Sequence, residues 1–123
     1  VVASLFAGSS ATPAWAHAVL LVSNPPASAA VMVAPVQVQL TFDDDLLALG
    51  EGNQILVTDP LGNRVDKGTS VLAGATLTAR LAKLNRFGRY QVSYHVISAD
   101  GHPVTASYFF YWVKKPSKKS AKK

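Results

Sequence analysis

Val36-Gln-Val-Gln-Leu-Thr-Phe42 alternates without a break. Val36, Val38, Leu40 and Phe42 point one way; Gln37, Gln39 and Thr41 point the other. A period of two marks a strand with one dry face and one wet face. Tyr90-Gln-Val-Ser-Tyr-His-Val96 repeats the pattern, with Tyr90, Val92, Tyr94 and Val96 on one face. Ala75-Thr-Leu-Thr-Ala-Arg-Leu81 alternates as well. Gln54 to Thr58 is a further apolar run, closed by the turn sequence Asp59-Pro-Leu-Gly62. Val104 to Val113 is aromatic and β-branched, and His17 to Val22 supplies a first strand ahead of Asn24-Pro-Pro26. Convincing helical periodicity is absent; Val31 to Ala34 is too short to assign, and Leu46 to Leu49 has room for one helical turn. Short strands separated by turn signals predict an all-β chain, a small Greek-key β-sandwich or barrel of about seven strands. Gly88-Arg89-Tyr90 at a strand start fits the tyrosine corner of immunoglobulin-like folds, which gives Tyr90 a structural role.

The chain has 123 residues, which is enough for one domain with an ordinary core. A hydrophobic fraction of 49% excludes a disordered chain. With no Cys, neither a disulfide framework nor a thiolate metal site is available. The formal charge of +5 is unevenly placed. Lys114, Lys115, Lys118, Lys119, Lys122 and Lys123 crowd the last ten residues. Setting these six aside from the twelve basic residues leaves six, against seven acidic ones, in a near-neutral domain. That balance does not describe a nucleic-acid-binding surface.

Residues 1–16 carry no charge and read as an apolar stretch, then small polar residues, then Pro13, Ala14, Trp15 and Ala16. This is the pattern of a secretory leader and its cleavage site. Ser9, Ser10, Thr12 and Pro13 interrupt it, which disfavours a membrane anchor of roughly 20 apolar residues. Cleavage after Ala16 would make His17 the amino terminus. The expected layout is a leader at 1–16, a β-domain at 17–113 and a solvated Lys-rich tail at 114–123, in an exported chain.

The residues able to carry chemistry are few: His17, His95 and His102, with Met32 the sole Met. Neither a Gly-x-Ser-x-Gly nucleophile motif nor a phosphate-binding Gly-rich loop occurs. Ser98-Ala-Asp100-Gly-His102-Pro103 lies between two strands, and Asp100 and His102, two apart, can face the same side. An amino-terminal His17 would add an α-amine and Nδ1 on one residue, a natural chelate. An α-amine pKa of about 7.7–8.0 lets a strongly binding metal displace its proton near neutrality. Amine, imidazole and carboxylate donors suit tetragonal Cu(II) better than sulfur-loving Cu(I). Against this, Asp-Gly is also a common turn dipeptide with no metal role. His95 reads as a surface or edge residue. Asp43-Asp44-Asp45 reads as a solvated turn that could lend one carboxylate.

Four segments together resemble the CopC family of periplasmic copper-binding proteins. They are His17-Ala-Val-Leu-Leu-Val-Ser-Asn-Pro25, Pro35 to Phe42, Gly88-Arg-Tyr-Gln-Val92 and Val96-Ile-Ser-Ala-Asp-Gly-His-Pro-Val104. The resemblance implies a Greek-key barrel related to the cupredoxins. It also implies one Cu(II) held by the amine and imidazole of His17 with Asp100 and His102. Asp44 falls where some members carry a Glu ligand, one methylene longer. Some members hold Cu(I) in a Met- and His-rich loop; the matching stretch Gly50 to Gly68 has neither residue, so no Cu(I) site is expected. Ala106 replaces the usual Gly. The implied function is a non-enzymatic copper carrier or buffer in copper resistance, exchanging metal with a CopD-like inner-membrane transporter. The Lys tail would add weak contact with an anionic membrane surface. Two alternatives stay open: a copper oxygenase of the polysaccharide monooxygenase type, which also starts at a chelating His, and a metal-free immunoglobulin-like interaction module.

Overall fold

Eight strands and no helix make up the described part of the computed structural model, residues 18–116. In chain order they are β1 (Leu20–Asn24), β2 (Ala30–Val31), β3 (Gln37–Phe42), β4 (Gln54–Thr58), β5 (Asp66–Ala73), β6 (Thr76–Leu81), β7 (Gly88–Ile97) and β8 (Pro103–Trp112). They form two four-stranded sheets, ordered β1-β3-β6-β5 and β2-β8-β7-β4. Neighbours are antiparallel except β2, which runs parallel to β8. The chain passes repeatedly from one layer to the other, giving the sandwich that the alternating segments predict. The leader at 1–16, His17 and the tail beyond Pro116 lie outside the described residues.

The inward faces are the alternating apolar sets. Val38 and Leu40 are fully buried and Phe42 nearly so, while Gln37 and Gln39 stay exposed. Tyr90, Val92, Tyr94 and Val96 face them from β7, and Phe110 from β8. Tyr94 meets Phe42 edge-on across the layers at 5.5 Å, and Tyr90 stacks on Phe110 at 5.2 Å. Both are ordinary aromatic pair geometries. Val36 departs from its predicted face. It precedes β3 and is largely exposed, because the sheet ends one residue later.

The tyrosine corner is present: the Tyr90 hydroxyl donates to the Arg86 carbonyl at 2.6 Å. Tyr90→Phe keeps the ring packing but leaves that carbonyl without its donor. The expected cost is about 1–3 kcal/mol, read as a lower denaturant midpoint.

Two elements differ from the expectation. Leu46 to Leu49 is irregular, not a helical turn; the Leu46 N–H donates to the Gly74 carbonyl and the Leu47 N–H to the Ile97 carbonyl. Backbone bonds to both sheets outweigh a four-residue helix, which has no favourable nucleus. The other is β5, an edge strand with an irregular register between Lys67 and Val71. Its side chains finish the sandwich. Ser70 Oγ and Asp66 Oδ1 accept the N–H groups of Ile55 and Val57, so the outer edge of β4 is not left bare.

Candidate metal centre

The segment Ser98–His102 turns β7 into β8. Ten residue pairs, Gly88↔Trp112 through Ile97↔Pro103, fix the strands that lead into it. Gly101 adopts φ +89°, which a residue with a Cβ rarely takes, so the Asp-Gly-His spacing also shapes the turn. The Ser98 N–H donates to the His102 carbonyl and the Gly101 N–H to the Ser98 carbonyl, both at 2.8 Å.

Ser98 is the hub. It is fully buried, and its hydroxyl donates to Asp100 Oδ1. Ser98 Oγ also accepts the His102 backbone N–H, at 3.2 Å. With Oδ1 held there, Asp100 Oδ2 lies 2.9 Å from His102 Nδ1. Both side chains remain accessible, 30% exposed for Asp100 and 56% for His102. The structure therefore brings together the carboxylate and imidazole that the sequence singles out. Sequence reasoning gave Ser98 no role, because nothing local reveals that a loop serine will be sealed from solvent.

These contacts hold the Asp100 carboxyl at about 2, well below the ordinary 3.8. The Ser98 hydroxyl is the main cause, helped by the His102 side chain and N–H, against a smaller opposing effect of burial. The folded pKa lies below the unfolded one, so this carboxylate's stabilising effect is complete above about pH 4. It is lost as pH falls through about 2. Carbon-detected NMR of the Asp100 carboxyl in the metal-free protein should show a midpoint near 2, moving up in Ser98→Ala. A midpoint near 3.8 in both forms would contradict this origin.

The surroundings tie other loops to this end of the sandwich. Asn53, 7% exposed, accepts the Ile97 N–H and donates to the Leu47 carbonyl, both at 2.8 Å. Asp43 and Val19 pair in both directions, the Val19 N–H donating to Asp43 Oδ1 and the Asp43 N–H to the Val19 carbonyl. The start of β1 is thus anchored at the end of β3. Asp44 accepts only a local bond from the Asp45 N–H. Among the described residues, no group of three or more His, Cys, Asp or Glu could hold a metal ion, so Asp44 is not gathered with Asp100 and His102. His95 is exposed on β7, an inner strand and not an edge, with Nδ1 2.8 Å from the Gly52 carbonyl oxygen.

No curated protein sequence matches the chain. Solved structures do. CopC from Methylosinus trichosporium OB3b superposes with a TM-score of 0.68 at 28% identity, covering 82% of this chain and 98% of that one. PcoC, a methionine-rich copper resistance protein from Escherichia coli, superposes at 0.64 and 27% identity, covering 80% and 100%. This chain has one Met. The CopC domain matches residues 20–112, from the first residue of β1 to the last of β8, and the chain belongs to that family.

Proposed function

We propose that the protein is a periplasmic copper carrier holding one Cu(II) through the α-amine and imidazole of His17, Asp100 and His102. The observation that carries this reading is the 2.9 Å separation of Asp100 Oδ2 and His102 Nδ1 on the hydrogen-bonded turn Ser98–His102. Metal–ligand bonds of about 2.0–2.1 Å meeting at a right angle set neighbouring donors about 2.9 Å apart. The spacing of the two groups matches adjacent positions of a tetragonal ion, reached by a turn of the two side chains toward a common point. Two donors alone make a weak site. The α-amine and Nδ1 of a terminal His17, directly before Ala18 in the chain, would complete a four-donor set.

Electrostatics favour cation capture at this end. Among the described residues, Asp43, Asp44, Asp45, Glu51 and Asp100 lie at this end of the sandwich and no Lys or Arg does, and such a field raises the local cation concentration. The site binds without converting anything: an exposed ligand pair permits both uptake and release. A CopD-like inner-membrane transporter is the proposed partner in exchange. In equilibrium dialysis, the chain beginning at His17 should retain one Cu(II) and lose it on reduction to Cu(I). Failure to retain Cu(II), or tight retention of Cu(I), would overturn the reading.

A further inference from the structure

The sheet topology sorts charge in a way the linear sequence conceals. β7 and β8 run the full length of the sandwich, with Ile97 and Pro103 at the Asp100–His102 end and Gly88 and Trp112 at the other. Every Lys and Arg of residues 18–116 falls in the half near Gly88 and Trp112, and all are exposed. The two acidic groups there are already engaged. Asp66 pairs with Arg64 at 2.6 Å, and Asp59 lies 3.8 Å from Arg86 and accepts the N–H groups of Leu61 and Asn63.

The same end carries exposed apolar side chains on loops. Val33 is 79% exposed, Val36 76%, Leu61 66%, and Met32 and Phe87 51% each. Phe87 rests against Trp112 at 4.5 Å. The chain leaves β8 here through Lys114 and Lys115, and four more Lys follow by residue 123.

We propose that this basic, apolar-tipped end is a docking face for an anionic lipid bilayer. Basic side chains near such a surface are drawn to its headgroups, while valine and aromatic tips gain by entering the acyl boundary. Nucleic acid or an acidic protein would use the charge but leave Val33 and Val36 without a purpose. The geometry has a consequence for the opposite end. β7 alone spans about 33 Å, so a protein seated this way holds Asp100 and His102 away from the lipid.

Sedimentation of the full chain with vesicles tests this. It should bind vesicles of phosphatidylglycerol and phosphatidylcholine in equal parts and not pure phosphatidylcholine. Two sets of substitutions, Val33→Ser with Val36→Ser, and Lys83→Glu with Lys114→Glu and Lys115→Glu, should each weaken binding about tenfold or more. Leu49→Ser, at the metal end, should leave it unchanged. All these side chains are exposed, so folding is kept and circular dichroism checks it. Three results would overturn the proposal: equal binding to both vesicle types, binding to heparin without binding to vesicles, or loss of binding on changing only Lys118, Lys119, Lys122 and Lys123 to Ser while the Val33/Val36 pair has no effect.

Discussion

His102→Ala should lower Cu(II) affinity by more than the ~10–100-fold that loss of an outer-shell partner costs. The substitution removes a direct donor, and it leaves Asp100 without the imidazole 2.9 Å from its Oδ2. His102 is 56% exposed, and surface changes of this kind usually move stability by about 0.5 kcal/mol or less. Affinity should therefore collapse while the denaturation midpoint barely moves. His95→Ala is the matched control: it removes the other described histidine, which bonds to the Gly52 carbonyl and not to Asp100. Competition titration against a Cu(II) chelator reads both variants. Equal affinity in wild type and His102→Ala would remove the imidazole from the site.

Phe110→Ala should have the largest effect on folding. Phe110 is fully buried and stacks on Tyr90, the residue that closes the corner to Arg86. Removing a buried Phe ring costs about 3–5 kcal/mol. That is a large part of the roughly 5–15 kcal/mol that holds a domain of this kind together. Urea unfolding should show a much lower midpoint with an unchanged slope. Phe110 pairs with Tyr90 near the opposite end of the β7–β8 ladder from the metal-site turn, so the folded fraction should still bind one Cu(II). A shift below about 1 kcal/mol would mean that the ring is not central to the packing.

The contrast between these variants follows the division in the molecule between a dry interior and an exposed turn, and the same division explains what was legible in the sequence. β3 and β7 could be read directly, because each buries one face and wets the other, so burial writes itself as alternation. β5 could not. It lies at an edge with most of its side chains exposed, and its register is interrupted, so neither period appears. Leu46 to Leu49 was ambiguous because four apolar residues fit either state; hydrogen bonds to Gly74 and Ile97, distant in sequence, decide it.

The candidate site divides in a similar way. Asp100 and His102 were legible as a spacing, and Gly101 as the residue that permits the turn. The clamps were not. Ser98 is one serine in a loop, and Asn53 reaches Ile97 from 44 residues away. Charge segregation within the domain was also invisible, since Arg64, Lys67, Arg80, Lys83, Arg86 and Arg89 occur singly and only the strand order gathers them at one end. The summed charge of +5 pointed to none of this.

The central claim is that the chain's own amino terminus, once it is His17, completes a Cu(II) site with Asp100 and His102. The most direct measurement is Cu(II) affinity for two forms of the protein, one beginning at His17 and one retaining residues 1–16, with intact mass confirming each start. The first form should bind one ion tightly. The second should bind it more weakly by about 10²-fold or more, because its residue-17 nitrogen is an amide and not a free amine. Equal affinity in the two forms would contradict the claim.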